Sequence, residues 1–315
     1  MPPFNMKKRL KILVVEPICC EAIVSLKTQF DVCVDIKPDK KRLLELIANQ
    51  EILILKSEVK LDKELISAAK NLKLVAIAGI GIDNISLDDL KKRGIAWFNV
   101  PYLSAKDVAE FTLGLTLSLA RKISLADSLL RKNEWIRHEL MGISLRGKQF
   151  GVIGYGEIGK ETSALAKNFG MKVQVYTRDS ETKQFEKSIT PVSFYKLLRT
   201  SDIISIHLPL NDETNNLFSQ KEFEWMKSTA LFINTSRGKI VNEDALYYAL
   251  KSKKISGAAV DVFQNEGQYN RLFELDNIVV TPHIAALTHE AQEKIGLQVV
   301  KKIFEFFRTH DKDCL

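Results

Sequence analysis

Short runs of Val, Ile, Leu and Ala alternate along the chain with stretches whose apolar residues recur every three or four positions. The first pattern predicts strands and the second amphipathic helices. Strand-like runs occur at Leu10–Val15, Val32–Ile36, Ile52–Leu55, Leu74–Ala78 and Ala96–Val100, with helical spacing over Lys40–Asn49 and Asp62–Lys70. Pro101 then interrupts. One long helix is predicted from about Ser104 to Lys132, too long for a simple crossover and suited to connecting two domains. A second series follows at Phe150–Ile153, Val173–Tyr176, Ile203–Leu208, Ala230–Asn234, Ala258–Val262 and Ile278–Thr281, ahead of an amphipathic stretch over Glu290–Phe307. These strands are rich in Val and Ile and alternate little, as expected where helices cover both faces of a parallel sheet. The fold class is therefore α/β, with two doubly wound parallel-sheet domains. The first takes residues 1–102, the second is inserted over 103–285, and a C-terminal helix over 286–315 returns to the first.

At about 100–200 residues per domain, 315 residues accommodate two. With 45% hydrophobic and 27% charged residues the chain is globular, not disordered. The uncharged run Phe111–Ala120 falls far short of the roughly 20 residues of a membrane span. Lys11 and Glu16 break the apolar patch behind the basic start Met1–Arg9, so no signal-peptide core is expected. The four cysteines (Cys19, Cys20, Cys33, Cys314) form no C-x-x-C pattern. They predict neither a disulfide framework nor a zinc site, but thiols in a reducing cytoplasm. The net charge of +7 comes from Lys and Arg interleaved with Asp and Glu. That leaves no basic block for nucleic acid and at most a bias toward anionic small molecules.

Gly154-Tyr155-Gly156-Glu157-Ile158-Gly159 fits G-x-G-x-x-G, directly after the apolar run Phe150–Ile153 and ahead of the helical run Lys160–Phe169. In that context Gly154 permits a tight turn, Gly156 lets a pyrophosphate approach the backbone, and Gly159 lets helix and strand pack closely. A dinucleotide cofactor is expected, its diphosphate at the helix N-terminus. The next strand ends Tyr176-Thr177-Arg178-Asp179, with Thr177 where an NAD site usually carries its acid. A hydroxyl followed by Arg178, which can pair bidentately with phosphate, favours NADP over NAD. Asp179 is the alternative ribose ligand if the loop is longer.

Three further segments fall at the carboxyl ends of predicted strands, where open α/β sheets bind ligands. They are Asn234-Thr235-Ser236-Arg237-Gly238, Ala259-Val260-Asp261-Val262-Phe263 leading into Gln264-Asn265-Glu266, and Thr281-Pro282-His283-Ile284-Ala285-Ala286. To these are added Gly79-Ile80-Gly81-Ile82-Asp83-Asn84, Val108-Ala109-Glu110, the glycine loop and His207-Leu208-Pro209. In this order and spacing, over nearly the whole chain, the sequence resembles the D-isomer-specific 2-hydroxyacid dehydrogenases, which include glyoxylate/hydroxypyruvate reductases and phosphoglycerate dehydrogenases. The resemblance implies a Rossmann dinucleotide-binding domain inserted into a flavodoxin-like substrate domain. It implies hydride transfer between NAD(P)H and a small 2-keto acid or D-2-hydroxy acid, with no metal, in a homodimer.

The same resemblance implies a catalytic Arg237, an acid at Glu266 and an acid/base at His283. It implies cofactor contacts from the glycine loop, Thr177, Arg178, His207, Leu208, Pro209, Thr214, Thr235, Ser236, Arg237, Asp261 (orienting the nicotinamide amide), His283 and Ala285. Substrate contacts are implied from Lys56, Ser57, Gly79, Ile80, Gly81, Arg237 and His283. Residue chemistry agrees independently. Arg237 can grip a carboxylate and polarise the neighbouring carbonyl, and His283 can protonate the new alkoxide near neutral pH. Glu266 beside it would stabilise the imidazolium. Taken singly, Arg237, Glu266 and His283 also read as surface, solvated or capping residues, and Asp261 as a turn cap. Their joint order decides the matter.

Lys56 stands where relatives that handle phosphorylated substrates carry Arg, keeping the charge without the fork, so phosphoglycerate is the second-choice substrate. Gly267 stands where the family commonly has Pro, predicting a more flexible loop, and Ala285-Ala286 stand where Gly is frequent, predicting a tighter pocket. His207 and His289 read as structural or cofactor-adjacent. The end at Leu315 leaves no room for the regulatory domain of some phosphoglycerate dehydrogenases. The apolar residues of Ser104–Lys132 occupy more than one helix face, which predicts burial against a second subunit, or else within the chain. Two domains also suggest closure around the cofactor. From another class, the fold is similar to that of dinucleotide-sensing corepressors, against which the lack of an extended tail counts.

Overall fold

The computed structural model describes residues 9–181 and 184–310, so Cys314 and nearly all of the basic start lie outside the described residues. The first elements in chain order are β1 (Lys11–Val14), α1 (Cys20–Lys27), β2 (Asp31–Val34), α2 (Lys40–Ile47), β3 (Ile52–Leu55), α3 (Lys63–Ala68), β4 (Leu74–Ile77), α4 (Leu87–Lys92) and β5 (Ala96–Asn99). Then come α5 (Ala105–Ala120), α6 (Ile123–Arg131), β6 (Gln149–Ile153), α7 (Glu157–Asn168), β7 (Lys172–Tyr176), β8 (Ile189–Pro191), α8 (Phe194–Thr200) and β9 (Ile203–Ile206). The last are α9 (Gln220–Trp225), β10 (Leu231–Asn234), α10 (Glu243–Lys251), β11 (Gly257–Val260), β12 (Ile278–Val280) and α11 (His289–His310). Two compact units result. One joins the described residues up to Ser104 with those from Leu287 on, and the other is Ala105–Ala286.

The first unit is a parallel sheet in the order β2-β1-β3-β4-β5. Side chains alternate between its faces, and both faces are covered. Ile12, Val14, Ile52, Ile54, Leu74 and Ala76 pack on α1 and α11 through Ala22, Leu26, Val299 and Ile303. Leu13, Leu53, Leu55, Val75 and Ile77 pack on the other side against Leu43 and Ile47 of α2 and Leu65 of α3. Hence the near-continuous apolar runs: no strand position in β3 or β4 sees water. The strand order reverses at β1, which pairs with β2 on one side and β3 on the other.

The second unit is a parallel sheet in the order β12-β11-β10-β9-β6-β7-β8. Phe150, Val152, Ile233 and Ala259 share one core with Leu113 and Leu115 of α5 and Ala166 of α7. Ile204, Ile206, Phe232 and Ala258 share the other with Leu197, Phe223 and Leu246. The strand β8 escaped prediction because it is a short edge strand ending in Pro191, a residue tolerated only where no ladder partner is needed.

The single helix predicted over Ser104–Lys132 is in fact two. The chain leaves α5 at Ala120, Lys122 takes a left-handed backbone (φ +53), and α6 begins at Ile123. No glycine or proline marks the break, so apolar periodicity ran through it. The apolar face of α5 is covered within its own unit by α7, β10, β11 and β12. By contrast α6 buries no residue, and Ile123 and Leu130 are 55% and 54% exposed. Among the described residues no helix is long and apolar enough to cross a membrane.

Candidate active site

At the end of β6, Gly154 takes φ +94, and a Cβ there would run into the carbonyl of His207. Only glycine allows the turn. Gly159, in the first turn of α7, is closed in by the carbonyl of Gly154, whereas a Cβ on Gly156 would meet nothing within 4 Å. Gly156 caps α7 with extended backbone and no side-chain acceptor for the first amides. An open glycine beside uncapped helix amides fits the diphosphate of a dinucleotide. Tyr155 is buried with its ring 5.2 Å from that of Phe185, and Glu157 faces outward in an ion pair with Lys160. Ile158 is half-buried in the first turn of α7.

Past β7, the largely buried Thr177 hydroxyl donates to Asp179 at 2.5 Å, and the exposed Arg178 pairs with Glu213. Past β9, His207 bonds Ser205 at 3.0 Å, and burial pushes its imidazole down to about 3. It is therefore neutral at physiological pH and no proton donor. Leu208 reaches the space above Gly154, and Thr214 closes the turn behind it by donating to the Pro209 carbonyl at 2.7 Å. The buried hydroxyls of Thr235 and Thr112 lie 3.0 Å apart.

His283 stands just past β12 with φ +55, a left-handed conformation that costs a residue with a Cβ about 1–2 kcal/mol. Asp261, fully buried beyond β11, holds it there. Its Oδ1 accepts from the Thr281 hydroxyl (2.6 Å) and the Ile284 amide (3.0 Å), and its Oδ2 from the Ala285 amide (2.9 Å). Its backbone carbonyl accepts from the His283 amide at 2.8 Å. Burial raises the Asp261 carboxyl pKa, and these donors work in the opposite direction. Asp261 is thus the anchor of the His283 turn, the capping role that its residue type alone suggested.

The imidazole Nδ1 of His283 lies 2.9 Å from one oxygen of Glu266 and 3.0 Å from the other. A carboxylate only accepts, so Nδ1 carries a proton and Nε2 is the exchanging atom. This hydrogen bond raises the His283 pKa; burial and the charge of Arg237 oppose it. Both neighbours therefore act on the imidazole. Glu266 is placed by Glu243 in the first turn of α10, whose carboxylate accepts from the Gln264 amide (2.6 Å) and the Asn270 side chain (2.7 Å). Gly267 takes φ +78, which a proline cannot reach, so the departure from Pro meets a defined backbone need. Arg237 is placed by Asn234, which accepts from the amide and hydroxyl of Ser236 and donates to the Arg237 carbonyl. Gly238 lies so close to the Phe263–Gln264 backbone that no Cβ fits, which draws the Arg237 and Glu266 loops together.

In the first unit, Lys56 and Ser57 follow β3. Lys56 is half-buried, its ammonium donates to the Gln292 side-chain carbonyl, and burial lowers its pKa. Ser57 is exposed. Gly79, Ile80 and Gly81 follow β4, with open space at Gly79 and the Ile80 carbonyl accepting from Asn99 at 2.9 Å. Sequence reasoning missed Glu243, Glu16 and Gln292, whose partners are remote in the chain; the only sign of Glu243 was an acid in the first turn of a helix.

The family model described as "D-isomer specific 2-hydroxyacid dehydrogenase, NAD binding domain" matches residues 113–285. The chain is 40% identical over 298 residues to the D-3-phosphoglycerate dehydrogenase of Archaeoglobus fulgidus, covering 93% of this chain but only 56% of that one. It is 37% identical over 302 residues to the hydroxypyruvate reductase of Thermotoga maritima, covering 94% and 98%. A solved D-lactate dehydrogenase from Aquifex aeolicus, complexed with NAD and lactic acid, superposes with a TM-score of 0.84 at 30% identity, covering 95% and 96%. With its glycine loop, its Arg–Glu–His cluster and these relatives, the chain belongs to the D-isomer-specific 2-hydroxyacid dehydrogenase family of nicotinamide-dependent oxidoreductases.

Proposed function

We propose that the protein reduces a small 2-keto acid to the D-2-hydroxy acid with NADPH, and runs the reverse reaction when the ratios favour it. The observation that carries this reading is the His283–Glu266 pair within electrostatic reach of Arg237. When bound, the nicotinamide supplies the hydride. Arg237 holds the substrate carboxylate and polarises the carbonyl. Nε2 of His283 delivers a proton to the carbonyl oxygen as it becomes an alkoxide, and takes it back in the oxidation. Glu266 keeps the Nδ1 proton and steadies the imidazolium.

Gly154–Gly159 receive the diphosphate, with Leu208, Pro209, Thr214, Thr235, Ser236, Asp261 and Ala285 around the rest of the cofactor. The absence of an acid at Thr177, together with the exposed guanidinium of Arg178, supports a 2′-phosphate, for which Arg178 exchanges Glu213. Lys56, Ser57, Gly79, Ile80 and Gly81 of the first unit are the further substrate contacts that the family resemblance implies. The exposed Ile123, Leu130, Trp135 and Met141 in and after α6 support a homodimer, and the unpaired Cys19, Cys20 and Cys33 a reducing cytoplasm.

The test is loss of reduced-nicotinamide absorbance with NADPH and NADH against glyoxylate, hydroxypyruvate, pyruvate and phosphohydroxypyruvate. Turnover at least tenfold better with NADPH is expected. An NADH preference overturns the cofactor reading, and silence with all four acids overturns the reductase.

A further inference from the structure

The turn that carries Arg237 is tied to a helix far away in the chain through a pair of buried hydroxyls. β10 ends at Asn234, and Thr235, Ser236 and Arg237 lead away from it. Within the turn, Asn234 accepts from the Ser236 amide and hydroxyl and donates to the Arg237 carbonyl. The Arg237 guanidinium donates to the Ser236 carbonyl at 2.7 Å. These bonds shape the turn without joining it to anything outside itself. A tie to another element is supplied by Thr235, whose hydroxyl lies 3.0 Å from that of Thr112, 123 residues away. Thr112 lies on α5, which packs on β10. It is fully buried, and Thr235 is 8% exposed.

The direction of that bond follows from counting protons. A hydroxyl has one proton and two lone pairs. Thr112 gives its proton to the Val108 carbonyl, one helical turn earlier, at 2.7 Å. A threonine inside a helix bonds back in this way, and the bond selects the rotamer of its branched side chain. Only lone pairs remain to face Thr235, so Thr235 is the donor. Thr116, one turn on, donates to the Thr112 carbonyl at 2.8 Å, which steadies the helix around the acceptor. A donor held by a fixed acceptor keeps its own rotamer, and the backbone beneath it, in place. Arg237 follows two residues later. Valine at position 112 would match threonine in shape and leave the buried Thr235 proton without an acceptor. The turn must then shift to find one.

We propose that Thr112 is the positioning residue of the turn over 235–237, and through it of the guanidinium that grips the substrate carboxylate. The inference rests on the 2-keto acid reading above and deepens it. On the NADPH-loaded protein, Thr112→Val raises the KM for glyoxylate and the dissociation constant of oxamate, an inert 2-keto acid mimic, each about tenfold. Partial unfolding would lower kcat by removing active enzyme and leave KM in place, so KM separates positioning from stability. Thr112→Ser keeps the hydroxyl and returns both constants to within about threefold of wild type. Hydrogen exchange on the free protein reads the turn directly, with amides over 235–238 exchanging faster in Thr112→Val than in wild type or Thr112→Ser. Removing both hydroxyls leaves no buried donor stranded, so Thr112→Val combined with Thr235→Val melts higher than Thr112→Val alone. Constants in Thr112→Val within about threefold of wild type, a Thr112→Ser as impaired as Thr112→Val, or a double variant that melts lower still overturns the proposal. If Arg237→Met binds oxamate as tightly as wild type, it is the assigned role of Arg237 that fails, and exchange then decides for Thr112. Faster exchange over 235–238 in Thr112→Val upholds its hold on the turn, and unchanged exchange sinks it.

Discussion

Each unit buries one carboxylate at the carboxyl edge of its sheet and uses it on the backbone of a neighbouring loop. Glu16 and Asp261 are 2% and 0% exposed, and burial is the leading cause that raises both carboxyl pKa values. What they hold differs. The loop on Glu16 contains no left-handed residue, whereas the loop on Asp261 contains His283 at φ +55. One carboxylate places an unstrained loop, the one that follows β3. The other keeps His283, the proposed proton donor, in a conformation its backbone would otherwise leave.

The sharpest way to break that comparison is Asp261→Ala. It strands two buried amides and a hydroxyl, each worth about 1–3 kcal/mol when unsatisfied, and releases the His283 turn. Turnover falls as far as in a His283 variant, and the melting temperature drops as well. If turnover survives, the anchoring role is wrong. His283→Ala comes next, lowering kcat by roughly 10²–10⁴ while dinucleotide binding, read by fluorescence titration, stays within a few-fold. Glu16→Ala strands two amides and costs about 2–4 kcal/mol in denaturant unfolding, yet leaves kcat on glyoxylate far less affected than Asp261→Ala does. Equal kcat losses would erase the distinction between the two carboxylates.

The smallest effect sharpens rather than breaks. Glu266 raises the His283 pKa, so the proton needed for reduction stays bound above the ordinary imidazole value, and the rate falls as pH rises through the raised pKa. Glu266→Gln removes the anion and moves that falling limb toward acid. The rising limb of the oxidation shifts the same way. A pH profile of kcat/KM that does not move would detach Glu266 from the proton.

The parallel sheets, and the residues proposed to react, were legible because their signals are local. Val- and Ile-rich runs mark strands covered on both faces, the glycine loop is read within six positions, and Arg237, Glu266 and His283 each sit at a strand end. The supports were not legible, because they are contacts across long stretches of chain. Gln292 reaches Lys56 from 236 residues away, and Glu16 reaches Val59 from 43. The break at Lys122 was hidden for another reason. Lysine has no intrinsic mark of a left-handed backbone, and the apolar spacing of α5 and α6 is continuous across it.

The left-handed backbone of His283 also sets heat resistance against activity at one position. Glycine is the only residue that occupies that conformation without steric cost. His283→Gly should therefore melt higher than His283→Ala, by an amount corresponding to about 1 kcal/mol. Between those two variants, selection on folding alone would favour glycine, which relieves the strain and carries no group to move the proposed proton.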